Sequence, residues 1–126
     1  MGALSQNHAM ALLTSSLRGS TVYLALYNSE PTPADSGTEV SGGSYARQAI
    51  SFSAPALVNG VATTSNSAAV SFPRATTAWG SVPYWGIRTA NTGGTLLWQG
   101  SFTQEKSVDA NDTITIYPGE IVIDLK

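Results

Sequence analysis

Cysteine is absent from the 126-residue sequence, and histidine occurs once, as His8. The first absence excludes disulfides and thiolate metal sites, leaving packing and association to stabilise the chain. The second leaves little for metal or acid-base chemistry. His8 lies in a helix-like segment with no Asp, Glu or Cys at a ligand spacing, so it reads as a polar residue of the surface or an interface. Charge is scarce too: Asp, Glu, Lys and Arg make up 11% of the residues, against roughly 25% in ordinary soluble domains. A polar but weakly ionic surface suits packing against neighbouring subunits, because few ions must lose their water. Net charge is -2, and the cations Arg18, Arg47, Arg74, Arg88, Lys106 and Lys126 are dispersed. Nucleic-acid binding therefore has no electrostatic footprint. No apolar run approaches the length of a membrane span, and the opening MGALSQNHAM lacks the basic flank and apolar centre of a signal peptide. The expectation is a soluble chain made in a cytosol, with neither a nucleic-acid nor a membrane partner.

What is present is alternation broken by turns. Ser5 is a suitable N-cap for a short helix whose apolar side carries Ala9, Leu12, Leu13 and Leu17 and which stops near Gly19, making 1–19 a helical lead. Val22, Leu24 and Leu26 then alternate with Tyr23, Ala25 and Tyr27, as in a pleated strand. A long loop over 28–44 follows, interrupted by Pro31, Pro33, Asp35, Gly37, Gly42 and Gly43. Loops of that length are functional or disordered more often than incidental. A second strand is expected from Tyr45 to Ser53. Asn59-Gly60 marks a two-residue hairpin turn, and Ala68, Val70 and Phe72 alternate until Pro73 ends their strand. A second hairpin joins Val82–Thr89 to Thr95–Thr103 across Asn91-Thr92-Gly93-Gly94. Ile114 and Ile116, the Pro118-Gly119 turn, and Ile121, Ile123 and Leu125 complete the pattern. About eight short strands with regular turns predict an all-β fold, an antiparallel β-sandwich or jelly-roll-like domain with a short N-terminal helix. The length fits a single domain over 1–126.

The loop core Gly37-Thr38-Glu39-Val40-Ser41-Gly42-Gly43, the adjoining Tyr45-Ala46-Arg47-Gln48, and the later Trp79-Gly80 and Trp85-Gly86-Ile87 carry a resemblance. With them the chain resembles, over nearly its whole length, a family of small tailed-phage virion proteins described as tail-fibre-type or minor structural proteins. The resemblance implies virion structure, contact with other virion proteins and no associated reaction.

Chemistry-bearing residues support little else. Glu39 with Asp35 or Glu30 could form an acid-base pair of the glycosidase kind, but Asp35 and Ser36 also suit side-chain turns, and Glu39 suits a partner such as Arg47. Asp109, Asn111 and Asp112 lack the EF-hand spacing and read as a turn. No catalytic residue, cofactor site or metal site is assigned. Arg47, flanked by Tyr45 and Gln48, could fix the loop through Glu39 or carbonyl oxygens, or bridge to another subunit. Among the aromatics, Trp85 and Trp98 share a strand parity that places them in one core-facing layer, whereas Trp79 precedes Gly80 outside the regular strands and is freer for an interface or a sugar. Glu39, Arg47, Tyr45 and Trp79 are thus the candidates for assembly or binding.

The expected function is that of a non-enzymatic structural subunit of a tailed-phage virion, associated with the tail or fibre. Its loop Glu30 to Ser44 is expected to extend beyond the sandwich and clasp a neighbour in a homo-oligomer, with a trimer preferred. Two alternatives stand beside it: a capsid decoration protein on the head, which a compact domain without a shaft would suit, and a carbohydrate-binding module that adsorbs to a host-surface glycan.

Overall fold

The structure, a computed structural model, describes residues 5–125. Residues 1–4 of the expected helical lead, and the end residues of a 1–126 domain, lie outside it. Helix α1 spans Gln6–Arg18. The Ser5 side chain accepts the His8 N–H at 3.1 Å, satisfying one of the free amides of the first turn. Ala9, Leu13 and Leu17 repeat at the helical period and are buried, whereas Leu12 and His8 face outward. The helix packs on the chain's own strands, and among the described residues no helix is long and apolar enough to cross a membrane.

Nine strands follow: β1 Val22–Tyr27, β2 Gln48–Ile50, β3 Ala56–Val58, β4 Val61–Ser65, β5 Val70–Ser71, β6 Gly80–Arg88, β7 Leu96–Val108, β8 Thr115–Ile116 and β9 Val122–Leu125. All described pairings are antiparallel. They form a four-stranded sheet in the order β2-β1-β6-β7, a three-stranded sheet β3-β4-β9 and the pair β5-β8. The fold is all-β and sandwich-like, as the alternation predicted. Asn59 and Gly60 carry φ of 51° and 80°, which the two-residue β3-β4 turn requires. Helix α1 lies against β4 and β9.

One apolar cluster joins these layers. Val22, Leu24 and Leu26 of β1 meet Trp85 and Ile87 of β6, while Ala62, Val70, Ile116 and Ile123 come from the smaller sheets and Leu13 and Leu17 from the helix. Two strands depart most from their expected lengths. The strand expected over Tyr45–Ser53 is regular only at Gln48–Ile50, because Tyr45 and Arg47 turn their side chains to the loop instead. β7 runs on to Val108, and its register against β6 shifts where Pro83 stands opposite Phe102–Glu105. Proline has no N–H to give a central strand, so the ladder bulges there.

Candidate functional site: two arginine forks beneath the long loop

The loop after β1 does not extend from the sandwich. It doubles back over the sheet, contrary to the expectation of a projecting arm. Its start and end continue the edge of β1 where β2 stops: Asn28 N–H donates to Thr38 O at 2.8 Å, and Val40 N–H to Leu26 O at 2.9 Å. Tyr27 and Glu39 form an isolated bridge, and Val40 is buried in the core. The one amide left over, Leu26 N–H, donates to the Tyr45 hydroxyl at 3.0 Å. Burying this edge without those partners would orphan backbone donors at a cost of about 1–3 kcal/mol each.

Inside the loop, Ser36 N–H reaches Pro31 O at 2.6 Å and Thr38 N–H the Ser29 hydroxyl at 2.8 Å. Gly37 passes so close to Pro31 that a Cβ there would lie 2.6 Å from its Cα. Thr32 and Asp35 take φ of 59° and 57°, a region costly for a β-branched residue such as threonine. Something must hold the chain in that shape.

Two arginine-carboxylate forks do so. Arg47 Nε and Nη2 donate to the two oxygens of Glu39 at 2.8 and 2.7 Å, and Arg47 Nη1 donates to Ala90 O and Gly93 O. Arg88 Nη1 and Nη2 donate to the two oxygens of Asp35 at 2.8 and 2.9 Å. Arg88 also reaches the Tyr27 hydroxyl at 2.9 Å, Gly93 O from Nε and Gly94 O from Nη2. All of the Arg88 N–H groups are therefore used. Gly93 O accepts from both arginines, so the loop and the β6-β7 turn are tied through one carbonyl. Both ion pairs are bidentate, the strongest arrangement available to these side chains.

Register explains the placement. Trp85 and Ile87 face the core, so Gly86 and Arg88 fall on the opposite face beside Ala25 and Tyr27. Gly86 is needed there, since a Cβ would come within 2.8 Å of the Tyr27 ring. The loop then buries this outer face, which is why β1 is covered on both sides rather than on one.

The charges respond accordingly. Hydrogen bonds from Arg88 hold the Asp35 carboxyl below its usual range, with burial opposing them weakly. Burial works against the Glu39 charge, but the Arg47 fork and the Tyr45 hydroxyl at 2.6 Å outweigh it, and its pKa is also lowered. Burial and the Glu39 hydrogen bond push the Tyr45 phenol up. A general acid needs a raised carboxyl pKa. Asp35 and Glu39 have lowered ones, each held by its own arginine, and Glu30 is exposed and is a partner in neither fork.

Of the four candidates, the structure brings Glu39, Arg47 and Tyr45 into direct contact and sets Trp79 behind them. Trp79 is 6% exposed, donates from Nε1 to Gly43 O at 3.0 Å, and meets the Tyr45 ring edge-on at 5.5 Å. It is a core residue propping the loop from below, not the free aromatic that its position before Gly80 suggested. Trp85 is buried and Trp98 half-buried on the same sheet face. Sequence reading missed Arg88 as the partner of Asp35, and Tyr27 as a further acceptor for Arg88. A cation inside the apolar strand ending at Arg88 was the available signal. It also missed Asn66, a buried amide that donates to Ala68 O and Tyr117 O and accepts from Gly119 N–H and Ile121 N–H.

Polar groups here hold backbone in place, and the fold is a small β-rich domain with a locked surface loop. That is the construction of a structural protein, whose product is a shape. The family model described as Podophage GP4 fiber I protein gp80 matches residues 4–124. The chain belongs to that family of phage fibre proteins and is a structural protein of the virion. No curated protein matches the sequence.

Proposed function

We propose that the chain is a non-enzymatic, single-domain subunit of the phage tail, placed at or beside the fibre, that acts by presenting a rigid surface to other virion proteins in a homo-oligomer. The observation that carries this reading is the loop locked onto its own sheet by Arg47 and Arg88. A surface fixed before association has no ordering entropy left to lose when subunits meet. The low charge of the chain supports it further, since few ions are desolvated at contacts. The loop contributes through its outer surface rather than by reaching into a neighbour.

Immunogold labelling or a reconstruction of the mature particle tests this reading. Density or label on the tail fibre is expected. Label over the head would replace it with capsid decoration, and absence from mature particles would overturn both. Light scattering on the purified chain is expected to give a closed oligomer, a trimer by preference.

A further inference from the structure

The hairpin between β3 and β4 turns on Asn59 and Gly60, and both are exposed. Asn59 alone among the asparagines of the chain is followed by glycine. Their φ values of 51° and 80° make the turn a type I′ turn. Among the described residues neither the Asn59 side-chain amide nor the Gly60 N–H has a hydrogen-bond partner, whereas Gly60 O accepts Gln6 Nε2 at 3.1 Å. The space around Gly60 is open as well: a Cβ there would find only Gln6 Nε2, at 3.4 Å. Other asparagines are held differently. The Asn28 and Asn66 amides are bound to backbone carbonyls. Asn111 shares a positive φ of 71°, but the residue after it is Asp112, whose N–H donates to Asp109 O at 3.1 Å.

We propose that Asn59 is a site of spontaneous deamidation, at which the Gly60 nitrogen closes a succinimide ring on the Asn59 side chain and water opens it to aspartate and isoaspartate. A bond forms between Gly60 N and Asn59 Cγ, the Cγ–Nδ2 bond breaks, and the Gly60 amide proton leaves with the side-chain nitrogen as ammonia. Water, the co-reactant, then gives its hydroxyl to one of the two ring carbonyls and its hydrogen to the ring nitrogen. Ring closure needs an Asn59 ψ of about −120°, which with its positive φ is the first central position of a type II′ turn. The hairpin reaches that state by flipping one peptide plane, between Asn59 and Gly60, and glycine accepts the change in sign of its φ. The Gln6 bond falls on Gly60 O, outside that plane, so the flip leaves it in place. Isoaspartate carries the main chain through its side-chain carbon. It lengthens a two-residue turn whose size fixes the Val58 to Val61 register. β3 is exposed at all three residues, so burial does not restore the pairing. Each event also adds a negative charge to a chain of net charge -2. A hairpin tip that is uncharged when made thus turns anionic with age. The inference does not depend on where in the virion the chain sits.

Incubation of the full chain at mildly alkaline pH, followed by peptide mass mapping and labelling with an isoaspartyl methyltransferase, tests it. The expected result is amide-to-acid conversion at Asn59 about tenfold faster than at Asn91 or Asn111, with isoaspartate among the products. Gly60→Asn keeps a residue that tolerates positive φ but shields the attacking nitrogen with a side chain, and conversion at position 59 should slow about tenfold. No conversion at Asn59, a rate no higher than at Asn111, or a rate unchanged in Gly60→Asn overturns the proposal. The unsubstituted chain supplies a further check that needs no variant to fold. Conversion in the urea-denatured chain but not in the folded one would show that the hairpin protects Asn59, and would overturn the proposal equally.

Discussion

Arg88 and Arg47 make similar forks, yet their surroundings predict different costs of removal. Arg88 has a side chain 9% exposed against 40% for its partner Asp35. Arg88→Ala strands the Tyr27 hydroxyl and two turn carbonyls as well as Asp35, so a loss of about 3 kcal/mol is expected in denaturant unfolding. Asp35→Ala leaves the guanidinium its three other acceptors, Tyr27, Gly93 and Gly94, with water to find for the rest, and about 1 kcal/mol is expected. Equal losses from the two variants would show that the ion pair, and not the carbonyl network, holds the turn. Tyr45→Phe isolates another contribution. The ring keeps its stacking on Phe72 and its edge contact with Trp79, while Leu26 N–H loses its acceptor and Glu39 a donor, for a cost of about 1–3 kcal/mol. Hydrogen exchange at Leu26 should rise in this variant.

Among the elements, the loop carries the main correction. A projecting arm could be removed without harm, whereas this loop supplies the edge bonds of β1, the buried Val40 and both carboxylates of the forks. Deletion of Glu30 to Ser44 is therefore expected to abolish the cooperative unfolding transition seen by circular dichroism. A deletion variant that melts like the intact chain would return the loop to the role of an arm. The sheet edges point the same way about assembly. β2 is three residues long, and β7 is broken in register at Pro83 and again beside Arg88. Short and bulged edges discourage strand addition, so contacts between subunits are expected through faces and loops. The turn between β8 and β9 depends on Asn66 in the same way that the loop depends on arginine. Asn66→Ala removes four hydrogen bonds from a buried site, and a loss of about 3 kcal/mol is expected in thermal or denaturant melts.

For the whole molecule, the shifted groups set a pH window. Asp35 and Glu39 titrate below their ordinary values of 3.8 and 4.5. Their contribution is complete above those values and disappears as pH falls through the lower folded-state pKa of each. Tyr45 and Tyr27 titrate above 10.0. Their contribution is complete below that value and is lost as pH climbs past it. The thermal midpoint should therefore be flat from about pH 5 to 9 and fall on both sides. Glu39→Gln should flatten part of the acid limb, and an unchanged limb would mean that other carboxylates dominate it.

Alternation of Val22, Leu24 and Leu26, the Asn59-Gly60 turn, and the Ser5 cap with Ala9, Leu13 and Leu17 are local signals, and each determined its element directly. The Glu39–Arg47 pair was legible because few cations lie near the loop in sequence. Tertiary structure alone decided the rest. Arg88 meets Asp35 across 53 residues of chain, and the β1-β6 register is what turns Arg88 to the face that the loop covers. Trp79 looked free because it lies outside a regular strand, but the loop that buries it arrives from the far end of β1. The sequence by itself determined a β domain of low charge with a conspicuous loop. Whether that loop reached outward or folded back was decided by long-range register, which local periodicity does not encode.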